Sequence, residues 1–202
     1  DLGLRLSESL QKSSQLTQET MGDLKSRLAV IDAAQTKITE LSTQVVSLQD
    51  ILANKQARGA FGEIQLQDLV ENILPPSAYE FQAAMGDGKR VDCLLKLPNP
   101  PGPIAVDAKF PLESYNALRA ARDDAAKLAA QRAFTVALRT HIAAIADKYI
   151  VPGETAESAL MFLPSEAVYA ELHANFGNVV EESYRRRVFI VSPTTLWAML
   201  NT

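Results

Sequence analysis

The sequence predicts an α/β domain with a mixed sheet flanked by helices, preceded by a long helix. Short apolar runs bounded by proline, glycine or turn residues are typical of buried strands, and longer segments between them have apolar residues at helical spacing. Residues 1–58 contain neither proline nor an aromatic residue, which predicts the leading helix. The predicted order is helix, strands, helix, strand, helix, strand and helix, an order typical of a sheet covered by helices.

Residues 1–58 are predicted to form a coiled-coil helix. Apolar residues recur there every seven positions, at Leu24, Ile31, Ile38, Val45 and Leu52. The second apolar position of the repeat changes near residue 35, which predicts a local unwinding of the supercoil. Because such a seam needs a partner, we expect a homo-oligomer. A helix packed back on its own domain is the alternative.

Residues 59–202 are predicted to form the α/β domain. A helix in "FGEIQLQDLVENIL" is followed by strands in "YEFQAAM", "VDCLLKL" and "IAVDAKF", the last two joined as a hairpin by "PNPPGP". One helix is expected from about Leu112 to Tyr149, followed by strands in "SALMFLP" and "VFIVSP" with the helix "EAVYAELHANF" between them. The last helix is expected in "TTLWAMLNT", with Thr194 or Thr195 near its cap.

Composition limits the class of protein. The formal net charge is −4, which argues against coating of nucleic acid by the whole surface, because that needs clustered lysine and arginine. The single cysteine, Cys93, excludes an internal disulfide and is expected in the core. No apolar run approaches the roughly 18 residues that span a bilayer, and we expect a cytoplasmic protein. The start without methionine suggests a fragment, so an upstream membrane anchor stays open.

Two charges stand at the end of the apolar strand "IAVDAKF". Side chains alternate along a strand, so Asp107 and Lys109 share one face and Val106 and Ala108 the other. If the hairpin loop spans residues 98–103, Asp92 lies opposite Lys109 and diagonal to Asp107. A register shift of two residues keeps the two aspartates together, whereas a shift of one separates them.

Two neighbouring carboxylates at the ends of apolar strands repel each other unless a positive charge lies between them. Lys109 supplies one charge, and a divalent cation, Mg²⁺ or Mn²⁺, would supply more. Asp92, Asp107 and the carbonyl of Ala108 form an incomplete ligand shell of the oxygen type that Mg²⁺ prefers. This composition predicts metal-assisted phosphodiester hydrolysis. The alternative is an ordinary Asp–Lys ion pair on a solvated hairpin.

These residues carry a resemblance to known proteins. A helix glutamate, an aspartate on one strand and Asp-x-Lys on the next are similar to the PD-(D/E)XK nuclease pattern, and the surrounding sequence resembles the RmuC family of bacterial DNA recombination proteins. The matching segments over about residues 55–202 are "GAFGEIQLQDLVE", "RVDCLLKLP", "IAVDAKFPLESY", "HIAAIADKY", "LMFLPSEA" and "VFIVSPTTLWAML". The resemblance implies a restriction-endonuclease-like fold behind a coiled coil, and a family domain that continues past Thr202.

The resemblance also implies roles for single residues. Glu63 would reach the metal directly or through water, Asp92 and Asp107 would be ligands, and Lys109 would position the attacking water. Two departures stand out: Val91 replaces the proline of the nuclease motif, and Ala60-Phe61 replaces the family's Arg-Trp, which removes a potential phosphate contact. The function expected is DNA recombination or repair by a metal-dependent nuclease. The alternative is a non-catalytic DNA-binding or scaffold protein that assembles through its coiled coil.

Three arginines precede the last predicted strand. Arg185, Arg186 and Arg187 are candidate contacts for the DNA backbone, or else part of a solvated turn beside two glutamates. His141 and His173 each lie in a predicted helix without a second ligand at metal spacing, and we expect structural or surface roles for both.

Overall fold

The computed structural model describes residues 54–86 and 88–201. Helix α1 spans Lys55–Ile73 and begins after Asn54, whose side chain accepts a hydrogen bond from the Gln56 N–H at 2.9 Å. The helix therefore begins before Gly59 and Gly62, which lie inside it rather than at a boundary. The predicted coiled coil falls almost wholly on residues outside the described ranges.

Five strands form one mixed sheet, as the sequence predicts. They are β1 (Tyr79–Ala84), β2 (Arg90–Leu95), β3 (Ile104–Ala108), β4 (Ala159–Phe162) and β5 (Val188–Val191). The spatial order is the order in the chain, with β1, β2 and β3 antiparallel and β3, β4 and β5 parallel. A short 3-10 helix, Pro76–Ala78, leads into β1.

The hairpin register differs from the predicted one by two residues. Leu95 pairs with Ile104 and Cys93 with Val106, so the loop is longer than residues 98–103 and Asp92 comes opposite Asp107 rather than Lys109. The proline-rich loop "PNPPGP" cannot donate ladder hydrogen bonds at its prolines, so pairing stops before it. The shift is even, and the two aspartates therefore stay on the same face.

The predicted single helix from Leu112 to Tyr149 is two helices, α2 (Leu112–Ala120) and α3 (Asp124–Tyr149). Ala121 is extended, and the Asp123 side chain caps α3 by accepting a hydrogen bond from the Ala126 N–H at 2.7 Å. Aspartate favours such a cap over a helix interior, so the chain breaks there.

Three further helices complete the domain: α4 (Glu166–Asn175), α5 (Gly177–Arg185) and α6 (Pro193–Leu200). The sequence analysis did not predict α5. The helix buries Val179 and Val180, but most of its other residues are polar or charged, so its apolar pattern is short and weak. The cap of α6 is Ser192, and Thr194 and Thr195 lie next to it in the first turn, as predicted. Thr195 completes a capping box with it, and Pro193 at the first helical position fixes the start.

Helices cover both faces of the sheet. One face packs on α3, α4 and α5, where α3 buries a residue at each turn: Ala130, Phe134, Leu138, Ile142, Ile145 and Tyr149. The other face packs on α1 and α6 through Leu66, Val70 and Leu196, with Cys93 in the core as predicted. Leu128 and Val136, although apolar, are exposed on the outer side of α3. In the ranges described, no helix has the length and apolar character to cross a membrane.

Candidate active site

Asp92 on β2 and Asp107 on β3 form the centre of the site. Asp107 is 3% exposed, at the end of a strand that is otherwise apolar. The carboxylate of Asp92 accepts a hydrogen bond from the Ala108 N–H at 2.8 Å, which ties β2 to the end of β3. Burial, and then the charge of Asp107, raise the pKa of Asp92 from 3.8 to about 6. The two carboxylates thus repel each other in a poorly solvated place.

Lys109 lies beside these carboxylates as predicted. Its backbone N–H donates to the Phe162 carbonyl at 2.9 Å, which continues the pairing with β4 beyond the strand. Its ammonium donates to the Asp107 carboxylate and, at 3.2 Å, to the Ala108 carbonyl oxygen. Lys109 therefore contacts two of the three oxygen donors that the sequence predicts for a metal ion.

Glu63 reaches the site from helix α1. The preceding residue, Gly62, allows a close approach of helix and strand: a Cβ there would lie 3.6 Å from the Ala108 Cβ and 3.4 Å from Pro164. The Glu63 carboxylate accepts a hydrogen bond from Gln82 Nε2 at 3.2 Å, and its charge is the smallest of the effects that raise the pKa of Asp92. Glu63 is exposed.

Gln82 and Tyr149 are site residues that the sequence analysis missed. Gln82 has a φ of 49°, unusual for a residue with a side chain, on the strand beside β2. Tyr149 donates its hydroxyl proton to the Arg90 carbonyl oxygen at 3.0 Å and lies near enough to Asp107 for that charge to act on its pKa. Burial and the charge of Asp107 raise the pKa of Tyr149, so its hydroxyl stays protonated. The position of Tyr149, seven residues after the apolar Ile142 of α3, was the available signal.

A cavity of about 640 Å³ opens over this centre. Its lining includes Asp92 and Lys109 on the sheet side and His141 on α3. Across it, Arg58 of α1 forms an ion pair with Glu113 of α2 at 3.5 Å. His141, expected to be structural or on the surface, therefore faces the candidate site. His173 instead packs on Tyr169 with ring centroids 4.2 Å apart, and burial lowers its pKa.

The three predicted DNA-contacting arginines lie elsewhere. They end α5 and precede β5, and since β3, β4 and β5 run parallel, they stand at the opposite end of these strands from Asp107. Arg186 pairs with Glu182 at 3.7 Å, and Arg187 pairs with Glu157. The structure does not bring them to the carboxylates.

The centre has the chemistry of a hard-cation site, although a small one. Within residues 54–86 and 88–201, no group of three or more His, Cys, Asp or Glu side chains is placed to hold a metal ion. Two aspartates and the Ala108 carbonyl remain, and Mg²⁺ is commonly held by one or two carboxylates while keeping several waters. Burial, and then the charge of Asp107, disfavour the ionised form of Asp92 and raise its pKa, and a cation bound there would favour that ionised form. These residues fit the predicted ion.

The family profile and the similar proteins all point to one family, RmuC. The sequence profile of the RmuC family matches residues 2–202. A DNA recombination protein RmuC homolog from Xylella fastidiosa is 30% identical over 188 residues, which cover 87% of this chain and 41% of that protein. The homolog from Pseudomonas aeruginosa is 29% identical over 79% of this chain and 37% of its own length. DNA recombination protein RmuC from Escherichia coli K12 is 25% identical over 81% and 36%. No solved structure matches the chain.

Proposed function

This chain belongs to the RmuC family, and we propose that it acts on DNA in recombination or repair as a metal-dependent nuclease. The curated relatives it matches are named DNA recombination proteins, and the chain spans about two fifths of their length. The proposal includes a restriction-endonuclease-like (PD-(D/E)XK) fold, which agrees with a mixed sheet whose central strand ends in Asp-x-Lys. With DNA as its substrate, the protein would act in the cytoplasm of a bacterial cell.

One observation carries the proposal: Asp92 and Asp107 lie opposite each other on neighbouring strands, with Lys109 bound to Asp107, at a cavity open to solvent. Folding alone does not favour this cluster, because burying two close carboxylates costs free energy that a single lysine offsets only in part. Asp92, whose pKa is raised by burial and by the charge of Asp107, lies in a cleft, and such a group is a candidate for a functional site.

The side chains divide the work of phosphodiester hydrolysis between them. Asp92, Asp107 and the Ala108 carbonyl would hold Mg²⁺ or Mn²⁺, with Glu63 reaching it through water. The bound metal would lower the pKa of a coordinated water and stabilise charge on the phosphate. Lys109, held by Asp107, orients the attacking water and neutralises developing negative charge. The Ala108 N–H holds the Asp92 carboxylate by a hydrogen bond, and the Tyr149 hydroxyl lies near Asp107 while it donates to the Arg90 carbonyl oxygen.

The test is a cleavage assay with Mg²⁺ or Mn²⁺ on linear, nicked and branched DNA. Asp107→Asn should lower the rate at least about 100-fold, since loss of a group behind a metal ligand already costs about 10–100-fold. Asp68→Asn removes the same charge from an exposed position of α1 and should leave the rate unchanged. Equal activity of the parent and the Asp107→Asn protein would remove the proposed site.

A non-catalytic DNA-binding or scaffold role is the second candidate. It is favoured by the ion pair of Lys109 with Asp107, which partly neutralises the centre without a metal. In that case the parent binds DNA, leaves every substrate intact, and loses no affinity when Asp107 becomes asparagine.

We also propose that the chain forms a homo-oligomer through residues 1–58. The support is the seven-residue repeat of Leu24, Ile31, Ile38, Val45 and Leu52, which presents an apolar seam. Light scattering should give a dimer or a larger species for the whole chain and a monomer after removal of residues 1–51. A monomer in both cases would favour a helix packed back on its own domain.

A further inference from the structure

Asp92 and Lys109 line the cavity, and Asp107 is buried next to it. Asp92 is half-buried in the lining, while Asp107 is 3% exposed and pairs with Lys109. Helices α1, α2 and α3 supply the other walls, and the Arg58–Glu113 pair joins α1 to α2. A phosphodiester must therefore enter the cavity to reach the centre.

The size of the cavity limits what can enter. Its volume of about 640 Å³ lies in the range of about 300–1,000 Å³ that is typical of sites for small molecules. One or two nucleotides have that size. An intact duplex does not, because its major groove alone is about 12 Å wide.

The walls have the chemistry of a nucleotide site. Ala117 of α2 and Ala133 and Ala137 of α3 leave space beside the centre, and Phe110 adds an aromatic ring. Apolar and aromatic surfaces take the faces of unstacked bases without regard to sequence. Lys109 and His141 add polar groups suited to a phosphate and sugar. Enzymes that act inside such pockets use single strands or draw the nucleotide out of the duplex.

We infer that this site takes an unpaired strand of DNA, as in a single strand, a flap or a frayed end, and excludes an intact duplex. The inference rests on the proposed action on DNA and names its substrate class. It does not depend on cleavage, because entry into the cavity is a binding step.

The test fills the cavity without touching the carboxylates. Ala133 is exposed on α3 and faces the cavity, so Ala133→Phe adds a ring there without disturbing the core. Ala129→Phe makes the same change one turn away, at an exposed position outside the cavity lining. Both proteins should melt at the same temperature, which the experiment checks first.

Binding is measured for the whole chain in EDTA by fluorescence anisotropy, with a labelled 20-nucleotide single strand and the blunt duplex of the same sequence. The parent and the Ala129→Phe protein should bind the single strand at least tenfold more tightly than the duplex. Ala133→Phe should lower single-strand affinity at least tenfold. Equal binding of strand and duplex, no binding of either, or full binding by Ala133→Phe each overturns the inference.

Cleavage with Mn²⁺ separates this inference from the proposed function. A duplex with a 5′ single-stranded flap should be cut in or next to the flap by the parent and not by Ala133→Phe. If the parent binds the single strand as expected but cuts nothing, the nuclease proposal fails and the inference stands. If it cuts the blunt duplex as fast as the flap, the nuclease proposal stands and the inference fails.

Discussion

The charged side chains at the two ends of the parallel strands differ in their exposure to water. At the carboxyl end of β3, the Asp107 side chain is 4% exposed and pairs with Lys109, beside the half-buried Asp92. At the amino end of β5, Arg187 and Glu157 pair with side chains 60% and 83% exposed. Surface pairs of this kind contribute about 0–1 kcal/mol and cost little to form, whereas buried charges cost several.

This difference is the reason for proposing the ligand site at the aspartate end. Water solvates the arginine end, so its charges need no explanation beyond the surface. The aspartate end keeps two carboxylates where water is scarce, and the ammonium of Lys109 donates a hydrogen bond to one of them, Asp107. A cation bound there would relieve the repulsion between the Asp92 and Asp107 carboxylates that remains in the folded protein, and this relief would favour its binding.

The largest expected effect is therefore a metal response confined to the aspartate end. Mg²⁺ or Mn²⁺ at a hundredfold excess over its dissociation constant should raise the free energy of unfolding by about 2.7 kcal/mol. Thermal melts with EDTA and with millimolar Mn²⁺ measure it. Asp92→Asn and Asp107→Asn should lose the response, and Asp68→Asn should keep it. If the melting temperature of the parent does not change with Mn²⁺, the aspartate end binds no metal and does not differ from the arginine end in this respect.

A pH effect of similar or smaller size should appear without metal. Burial and Asp107 raise the pKa of Asp92 from 3.8 to about 6, so the folded protein binds a proton that the unfolded chain releases. The stabilisation is complete below pH 4 and is lost as pH rises through 6. From pH 4 to 7.5 the parent should lose on the order of 2–3 kcal/mol relative to Asp92→Asn.

Urea unfolding of both proteins in EDTA across this range measures that difference. Asparagine keeps an oxygen for the Ala108 N–H, so the hydrogen bond at 2.8 Å is retained and the comparison isolates the charge. Parallel pH curves for the parent and Asp92→Asn would mean that the carboxylate is solvated like the surface acids. The contrast between the two ends would then disappear.

A smaller effect should follow from Tyr149→Phe. The change removes the hydroxyl that donates to the Arg90 carbonyl oxygen at 3.0 Å beside Asp107, and should cost about 1 kcal/mol of stability. The Mn²⁺ concentration for half-maximal cleavage should rise about tenfold, as for other groups that position metal ligands. Tyr184→Phe, at a side chain exposed on α5, is the matched control. An unchanged metal requirement with lowered stability would make Tyr149 merely structural.

The strand pattern alone predicted much of this arrangement. Alternation places Asp107 and Lys109 on one face, and any even register brings Asp92 to them, so the cluster was predictable although the pairing of Asp92 with Lys109 was wrong. The break between α2 and α3 depends on the Asp123 cap, a local signal that the apolar spacing on either side concealed.

The remainder depends on long-range packing. His141 faces the cavity, and Tyr149 reaches Asp107, only because α3 crosses this face of the sheet. Glu63 approaches because Gly62 lets α1 pack near Ala108. A single sequence predicts that these residues lie on helices, but it does not show how each helix is rotated about its axis relative to the sheet. The arginine cluster is the opposite case: three consecutive arginines stand out in the sequence, but the structure places them at the other end of the parallel strands from Asp107.

The smallest expected effect lies at the arginine end and tests whether that end shares in binding. Each lysine or arginine that contacts a phosphate contributes about −0.7 to the slope of log affinity against log salt for a single strand. If Arg185 contacts the DNA backbone, Arg185→Ala should weaken binding a few-fold, reduce that slope by this amount and leave the cleavage rate of bound DNA unchanged. Arg132→Ala, at an exposed site on α3, is the comparison. Anisotropy titrations at several salt concentrations measure the slope.

Because Arg186 and Arg187 already pair with Glu182 and Glu157, replacing either of them should change DNA affinity less than replacing Arg185 does. A loss of cleavage with unchanged binding in Arg185→Ala would instead connect the two ends in one mechanism, contrary to the contrast drawn from their burial.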